Sequence, residues 1–441
     1  MENIDLLIAA KWVIPVEPDG VVLETHSVAV RDGLIVAVLP TPVAAERFSA
    51  AENVDLAQHA LIPGLVNLHT HAAMTLMRGL ADDLPLMTWL GQHIWPTEAN
   101  HVSPEFVRDG TRLACMEMLA GGITCFNDMY FYPEATAQAA LECGMRASIG
   151  IITIDLPTRY ASDADDYLTK GLAARDRFKE HPTLSFSLAP HAPYTVSDKT
   201  FERVVTIAEE LDLPIHMHLH ETRDEIDSAI SQHGNRPIAR MEKLGVLGPR
   251  LIAVHSVHLQ EREIELLARH SASVAHCPSS NLKLASGIAP VDKILTAGIN
   301  LGLGTDGAAS NNRLDMFQEM RLAALLAKGS SGNAEAMPAA AALRAATLNG
   351  ARAMGLEQKI GSIVPGKAAD LCAVNFASPN LTPCFDPISH LAYVAGRENV
   401  SHVWVAGQLR VVEGKLPENT RRDVDKIAAL WQDKLVAETK G

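Results

Sequence analysis

The sequence lacks the features that mark several large classes of protein. It has no C-x-x-C pair, no run of about 20 apolar residues that would span a membrane, and no basic N-terminal region followed by a long apolar stretch. Its six cysteines are scattered along the chain, at Cys115, Cys125, Cys143, Cys277, Cys372 and Cys384. We therefore expect free thiols and no thiolate zinc site, no signal peptide and no membrane span, as in a cytoplasmic enzyme.

Positive charge is also scarce. The chain has 38 Lys and Arg residues against 52 Asp and Glu, for a net charge of −14. Because nucleic-acid binding relies on clustered Lys and Arg, we expect no nucleic-acid partner. The expected partner is a small molecule, with no membrane, and we also expect a homo-oligomer. The H-x-E and P-C-x-x-C pattern of cytidine-deaminase-type zinc enzymes is absent as well.

The centre of the chain alternates between short apolar segments and amphipathic helical ones. This alternation is typical of a parallel sheet built from βα units, and the chain of 441 residues is longer than one barrel usually needs. The candidate strands number eight: 65–69, 123–128, 146–152, 184–189, 214–219, 251–256, 272–277 and 299–305. Eight such units predict a (β/α)8 TIM barrel.

Both ends of the chain read as short strands separated by turns. IDLLIAAKWVIPVE and SVAVRDGLIVAVLP lie near the start, and KAADLCAVNF and HVWVAGQLRVVEGK lie near the end. We predict an α/β fold with a barrel at residues 62–360. A small β-sandwich domain is expected from both chain termini, residues 1–61 and 361–441, and the second part ends in an amphipathic helix.

Polar side chains collect where the predicted barrel strands end. Because the C-terminal ends of all barrel strands meet at one mouth, residues distant in sequence become neighbours there. The candidates are His69, His71, His191, His216, His218, His220, Glu221, His255 and Asp306. Imidazoles together with a carboxylate predict a nitrogen and oxygen site for zinc or a similar ion.

Several of these residues have simpler explanations. His216, His218 and His220 lie on one face of their strand by alternation, so periodicity does not choose a ligand among them. Asp306 precedes a glycine, and an aspartate in that position commonly serves a turn. His255 and His258 are equally consistent with hydrogen-bonded interior histidines. It is the convergence of several strand ends, more than any single residue, that predicts a metal site.

Four motifs resemble the amidohydrolase superfamily. They are PGLVNLHTH at 63–71, HCPSSN at 276–281, GTDG at 304–307 and GSIVPGKAAD at 361–370. The similarity spans nearly the whole chain. Within the superfamily, the chain most resembles the methylthioadenosine/S-adenosylhomocysteine deaminases, in the same branch as the triazine hydrolases.

The resemblance implies a ligand set and a metal count. His218 becomes the third ligand histidine because the family pattern has a glutamate three residues later, here Glu221. The implied ligands of one divalent metal, zinc by preference, are His69, His71, His218 and Asp306. No lysine lies at the end of strand four, where a carbamylated lysine would bridge two metals, so a single metal is expected.

The implied reaction is hydrolytic deamination of an adenine nucleoside, above all of 5′-methylthioadenosine to 5′-methylthioinosine and ammonia, with S-adenosylhomocysteine as a further substrate. Catalysis is assigned to Glu221, His255 and Asp306. Glu221 is the main argument for deamination, because it can deliver a proton to a ring nitrogen; the simpler explanation is a carboxylate favoured by a helix N-terminus.

The resemblance also assigns the substrate contacts. Glu98 would bind the ribose hydroxyls, and His191 and Glu221 would contact the purine. Arg159 is a candidate for a homocysteine carboxylate, whereas a methylthio group needs only apolar neighbours, for which Met74, Met87 and Trp89 are candidates. The alternatives are a triazine- or guanine-type hydrolase on the same scaffold, and a barrel that has lost catalysis, against which the intact ligand set argues.

Overall fold

The computed structural model describes residues 1–439; Lys440 and Gly441, the end of the predicted C-terminal segment, lie outside the described residues. Fifteen strands form two sheets within this part of the chain. The strands are β1 (Glu2–Val13), β2 (Leu23–Arg31), β3 (Leu34–Pro40), β4 (Phe48–Pro63), β5 (Leu65–Thr70), β6 (Ile123–Asp128), β7 (Arg146–Thr153), β8 (Leu184–Pro190), β9 (Ile215–Leu219), β10 (Leu251–His255), β11 (Ser273–His276), β12 (Asn300–Leu303), β13 (Leu371–Asn375), β14 (Val400–Val405) and β15 (Gln408–Val411).

Helices connect the barrel strands and cover their outer face. The α-helices are α1 (Thr41–Arg47), α2 (Leu86–Trp89), α3 (Trp95–His101), α4 (Pro104–Ala120), α5 (Pro133–Cys143), α6 (Ala164–Phe178), α7 (Asp198–Leu211), α8 (Arg223–His233), α9 (Pro237–Lys243), α10 (Glu261–Arg269), α11 (Pro278–Lys283), α12 (Val291–Thr296), α13 (Met316–Ser331), α14 (Ala339–Ala345), α15 (Leu348–Ala353), α16 (Pro387–Tyr393) and α17 (Glu418–Thr439). Short 3₁₀ turns occupy Ala72–Met77, Pro379–Leu381 and Arg397–Asn399, and one π-helical turn at Leu90–Ile94 joins α2 to α3.

The barrel is formed by the eight consecutive strands β5 to β12. Every pair of neighbours in the order β5 to β12 is parallel. The first and last strands meet where the backbone N–H of Asp306 donates to the carbonyl of His69 at 2.9 Å. Residues on both faces of these strands are buried, because helices cover the outside and side chains fill the inside. The predicted (β/α)8 barrel is confirmed, and each predicted strand coincides with an observed one.

Both chain termini contribute to the second sheet. Its order is β15-β14-β13-β4-β1-β2-β3; β1 and β4 run parallel, and the other neighbours are antiparallel. A buried ion pair ties it to the barrel, since Arg146 at the start of β7 contacts the Asp370 carboxylate through Nε at 2.8 Å and Nη2 at 3.1 Å. The separate sheet expected from the two termini is thus present.

The first barrel strand follows the terminal sheet after a single residue, Gly64. A side chain at this position would place its Cβ 2.1 Å from the Thr124 hydroxyl oxygen, so only glycine fits. The Gly64 N–H donates to the carbonyl of Asp370 at 2.8 Å. This junction fixes where β5 begins and therefore where its histidines end up. No helix among residues 1–439 has the length and apolar character needed to span a membrane.

Candidate metal centre and active site

Four side chains bring one ligand atom each to the mouth of the barrel. His69 and His71 come from the end of β5, His218 from β9, and Asp306 from the loop after β12. The Nε2 atom of His69 lies 3.3 Å from Nε2 of His218 and 3.3 Å from Oδ1 of Asp306, and Nε2 of His71 lies 3.4 Å from the same oxygen. The barrel thus brings together residues as distant in the sequence as His69 and Asp306.

The spacing of these atoms fits a single divalent metal. Ligands at 2.0–2.1 Å from one tetrahedral ion lie about 3.3–3.4 Å apart, and three of the six separations among these atoms have that length: His69–His218, His69–Asp306 and His71–Asp306. The atoms that all lie within 4.8 Å of one another form two groups that share His69, one with His71 and Asp306 and the other with His218 and His255. Three nitrogens and one carboxylate oxygen are a donor set suited to zinc. A nitrogen of His255 also lies within 4.8 Å of those of His69 and His218, so it borders the same centre.

Two histidines of the centre, His69 and His218, are in the protonation state that binds metals. Burial lowers the pKa of His69 to about 4 and the pKa of His218 well below its usual value, so both imidazoles are neutral at pH 7 and offer a lone pair. The Nδ1 atom of His71 lies 2.5 Å from the carbonyl of Met129, and that of His218 lies 2.9 Å from the carbonyl of His191. These contacts direct Nε2 of each ring towards the centre.

Asp306 is held rigidly at the centre. Its Oδ2 accepts hydrogen bonds from the hydroxyls of Ser280 and Ser310 at 2.6 and 2.8 Å. Burial opposes the charge, but the neighbouring imidazoles, above all that of His69, outweigh it and hold the pKa of Asp306 well below its usual value. Gly304 permits the close approach of the two strands, because a Cβ there would lie 2.8 Å from the backbone nitrogen of His69. The carboxylate therefore stays charged.

Two further groups border the centre on the cavity side. The His255 ring stacks on His218 with centroids 5.4 Å apart, and its Nδ1 lies 2.9 Å from Oδ1 of Asn281. The carboxyl of Glu221 lies 3.7 Å from Nε2 of His255 and accepts a hydrogen bond from the Ser286 hydroxyl at 3.4 Å. Burial raises the pKa of Glu221, so this carboxyl holds a proton more readily than an exposed glutamate, as a general acid requires.

The three histidines in and just after β9, the fifth strand of the barrel, have three different surroundings. Nε2 of His218 faces the centre, whereas Nε2 of His216 lies one layer below, 2.9 Å from Nδ1 of His69. His220 follows the end of β9 and adopts a φ of +58°, which breaks the strand alternation. Its Nε2 accepts the backbone N–H of Ile238 at 3.1 Å. Of the three, His218 is therefore the one whose ring nitrogen lies beside the other candidate ligand atoms.

The turn that carries Glu221 is fixed by a second carboxylate. Glu225 accepts the backbone N–H groups of His220 and Glu221 at 2.9 and 2.8 Å. Thr222 caps the N-terminus of α8, because its hydroxyl accepts the N–H of Glu225 at 3.2 Å. The helix end is thus capped by Thr222, and Glu221 lines the cavity.

The mouth of the barrel opens into a cavity of 530 Å³, a volume within the usual range for small-molecule sites. The candidate metal centre, Glu221 and His255 form its floor. Apolar side chains form much of its wall, among them Met74, Leu86, Trp89, Leu90, Ile152 and Ile154. Met87 is not in the wall, and its side chain is 46% exposed. The cavity is thus suited to a mostly apolar molecule with polar contacts at its floor.

Glu98 and Arg159 also line the cavity. The Tyr130 hydroxyl donates a hydrogen bond to Glu98 Oε1 at 2.7 Å. Loss of hydration in the cavity raises the pKa of Glu98 to about 7, so a hydrogen-bond donor on a bound molecule would favour the charged form. The Arg159 guanidinium hydrogen-bonds the carbonyl of Asn100, which belongs to the same helix as Glu98.

His191 lies on the cavity floor beside the candidate metal centre. Its ring centroid is 4.8 Å from that of His218, and its Nδ1 is 2.9 Å from the hydroxyl of Thr195. Burial lowers the pKa of His191 to about 3, so the ring is neutral. Its Nε2 makes no hydrogen bond within residues 1–439, and His191 lines the cavity, so this nitrogen is available to a bound molecule.

Sequence reasoning missed several residues that hold these groups in place. Ser280 and Asn281 lie inside the HCPSSN motif, and Ser310 follows Asp306 by four residues, so a search for polar residues near the motifs would have found them. Tyr130 and Thr195 give no sequence signal, because their role depends on which loop residue packs against them.

Comparison with known proteins identifies relatives across the full chain. The profile of the amidohydrolase family matches residues 60–410. The 5-methylthioadenosine/S-adenosylhomocysteine deaminase of Saccharophagus degradans is 46% identical, and the match covers 98% of this chain and 97% of the relative. The enzyme of the same name from Teredinibacter turnerae is 45% identical, with 99% and 98% covered.

Solved structures give the same picture. An adenosine deaminase from Xanthomonas campestris with bound zinc has a TM-score of 0.97 at 50% identity, and 99% of each chain is covered. The zinc complex of an atrazine chlorohydrolase from Arthrobacter aurescens has a TM-score of 0.89 at 24% identity, with 97% of this chain and 100% of the other covered, which shows a shared fold alone. The chain belongs to the amidohydrolase family, within the group of 5-methylthioadenosine/S-adenosylhomocysteine deaminases.

Proposed function

We propose that this enzyme is a metal-dependent hydrolytic deaminase of adenine nucleosides that converts 5′-methylthioadenosine to 5′-methylthioinosine and ammonia, with S-adenosylhomocysteine as a slower substrate. The observation that carries the proposal is the buried carboxyl of Glu221, placed beside the four converging ligand atoms and inside an apolar cavity. The names of the relatives, which share more than 40% of their residues with this chain, support the same reaction.

The metal ligands in this proposal are His69, His71, His218 and Asp306. Zinc is the ion assigned, because it suits the donor set and is bound in the Xanthomonas campestris relative. When bound, a divalent metal supplies a water that ionises near neutral pH, with a pKa of about 7. The carboxylate of Asp306 would accept the proton that such a water releases.

The chain's own residues complete the reaction. Glu221 delivers its proton to the ring nitrogen next to the amino-bearing carbon, which makes that carbon a better electrophile as the water oxygen adds to it. Nε2 of His255 holds the attacking oxygen in place. The proton held by Asp306 then passes to the amino group, the carbon–nitrogen bond breaks, and ammonia leaves. The hydroxyl that has added to the carbon becomes the carbonyl of the product and gives its proton to Glu221, which is thereby protonated again for the next turnover.

The substrate contacts follow the shape of the cavity. His191 contacts the purine at the floor, and Glu98 accepts hydrogen bonds from the two ribose hydroxyls. Apolar side chains such as Met74 and Trp89 surround the 5′-methylthio group. The guanidinium of Arg159 already hydrogen-bonds a backbone carbonyl, so it must exchange that contact to bind a homocysteine carboxylate. This difference is why we assign methylthioadenosine as the preferred substrate.

The proposal extends to the setting of the enzyme. We place it in the cytoplasm, where six free cysteines remain reduced. The net charge of −14 supports a small-molecule substrate and no nucleic-acid partner. We also propose a homo-oligomer, for which Phe385, 93% exposed and two residues before the start of α16, offers an apolar contact.

Replacing Glu98 by alanine tests the nucleoside assignment. Hydrogen bonds to a charged acceptor contribute about 1.5–3 kcal/mol each, so we expect Glu98→Ala to lower kcat/KM for methylthioadenosine by at least about tenfold. The measurement is steady-state deamination of the nucleoside and of its 2′,3′-dideoxy analogue by both proteins.

The dideoxy analogue separates a lost contact from general damage. Wild type should deaminate the analogue poorly, and Glu98→Ala should cause little further loss, whereas a damaged protein would lose activity on both compounds. If wild type deaminated the analogue as fast as the parent nucleoside, the diol contact would not exist and a triazine- or guanine-type substrate would be favoured.

A further inference from the structure

His216 lies below the candidate metal centre and contacts one of its ligands directly. Its side chain is fully buried inside the barrel, and its Nε2 atom lies 2.9 Å from Nδ1 of His69. The two rings meet edge to face, with centroids 4.9 Å apart. His216 is not among the four ligands, and its Nδ1 has no hydrogen-bond partner in the described part of the chain. Its one polar contact is therefore with His69.

The proton positions in this contact are fixed by chemistry. His69 turns Nε2 towards the other ligand atoms, so this nitrogen must be free of a proton to bind a metal. A neutral imidazole carries one proton, which for His69 then sits on Nδ1. Nδ1 is consequently the donor and Nε2 of His216 the acceptor. If this bond were lost, His69 could place its proton on Nε2 and the ring could rotate, and both changes oppose metal binding.

Among the three ligand histidines, His69 alone relies on a side chain for this support. The Nδ1 atoms of His71 and His218 face the backbone carbonyls of Met129 and His191, which substitution does not remove. An imidazole buried with one nitrogen unpaired costs free energy, and an aliphatic side chain would avoid this cost. The hydrogen bond to His69 accounts for a histidine at this position.

We propose that His216 is a positioning residue that orients His69 and fixes the tautomer that binds the metal. The inference rests on the ligand set of the proposed function. Outer hydrogen-bond partners of metal-binding histidines typically change metal affinity by about 10–100-fold. Because the acceptor is neutral, as are the two carbonyls, Asp306 is the one anion among the four ligands and His69 remains a neutral ligand.

Zinc affinity measured by competition with a chromophoric chelator tests this role without any substrate. His216→Leu should bind zinc about 10–100-fold more weakly than wild type. His216→Gln should bind zinc within about threefold of wild type, because its amide oxygen is separated from Cβ by the same number of bonds as Nε2. His216→Asn is too short to reach His69 and should resemble the leucine variant.

A matched control is His276, a second fully buried barrel histidine. Neither of its ring nitrogens has a hydrogen-bond partner within residues 1–439. His276→Leu removes the same imidazole from a similar interior and should leave zinc affinity within about twofold, a change well below that expected for a ligand partner. If His276→Leu weakened zinc binding as much as His216→Leu, the effect would come from packing and the inference would be overturned.

The remaining outcomes separate this inference from the proposed function. Zinc binding as tight in His216→Asn as in His216→Gln overturns the inference even where the leucine variant fails to fold. His69→Ala should lose zinc. If it kept full zinc affinity, the ligand set itself would be wrong. If His69→Ala lost zinc while His216→Leu retained it, only the role of His216 would be rejected.

Discussion

Glu221→Gln is expected to retain its metal and lose nearly all turnover, with kcat lower by about 10²–10⁴-fold, the usual contribution of a general acid or base. The amide has the size and shape of the carboxyl but cannot release and regain a proton. The turn that carries it should remain intact, because Glu225 and the Thr222 cap hold the backbone independently of this side chain. The measurement combines metal content with single-turnover rates.

Glu319 provides the matched control for this variant. It is fully buried, burial raises its pKa to about 7, and it accepts hydrogen bonds from Ser279 and Asn311 outside the cavity wall. Glu319→Gln keeps the size of the side chain and one of its two acceptor oxygens, and because Glu319 does not line the cavity this variant should keep most of the activity. Turnover by Glu221→Gln within about threefold of wild type would refute the proton-transfer role.

His218→Ala is expected to abolish metal binding and, with it, activity. The variant removes the one ligand that β9 contributes, and the remaining two imidazoles and one carboxylate should hold the metal too weakly to retain it during purification. His220→Ala should keep its metal, because the ring of His220 binds the backbone of Ile238 and does not face the centre. It should instead lose stability, by about 1–3 kcal/mol for the unpaired N–H.

The two histidine variants are compared by metal analysis of the purified proteins and by their thermal unfolding. Wild type and His220→Ala should contain about one zinc per chain, as a site with four protein ligands holds, and His218→Ala close to none. The reverse result, with metal retained by His218→Ala and lost by His220→Ala, would show that His220 is the ligand and that the assignment of His218 is wrong.

Much of this fold could be predicted because its signals are local. Each barrel strand is a short apolar run, and burial on both faces requires such a run wherever helices cover a parallel sheet. The paired strands at the chain ends carry turn residues at fixed positions, such as Arg31-Asp32-Gly33, where Asp32 and Gly33 adopt positive φ. These patterns need no knowledge of distant residues.

The strand β9 shows where local sequence patterns no longer suffice to predict the position of a side chain. Alternation places His216, His218 and His220 on one face, but β9 ends at Leu219 and His220 leaves that face with a φ of +58°. The turn is set by Glu225 on the next helix, and the partner of His216 lies 147 residues away along the chain. Only the folded barrel brings these groups together.

The conformation of the loop after β5, the first barrel strand, also could not be predicted from local sequence. The segment from Met74 to Trp89 contains apolar residues without a clear period, and parts of it fold into short helices. Within the last of these helices, Trp89 lines the cavity whereas Met87 is exposed. Glu98 accepts its hydrogen bond from Tyr130, which follows β6, the second barrel strand. The partner of a loop residue depends on the path of the other loops at the barrel mouth.

Ammonia release by the zinc-loaded enzyme from a panel of candidate substrates tests the central claim most directly. The panel contains 5′-methylthioadenosine, S-adenosylhomocysteine, guanine and a chlorotriazine, each assayed with and without prior removal of the metal by a chelator. We predict fast deamination of methylthioadenosine, slower deamination of S-adenosylhomocysteine, no reaction with guanine or the chlorotriazine, and loss of all activity without metal. Turnover of guanine or the chlorotriazine with none of the nucleosides would contradict the account.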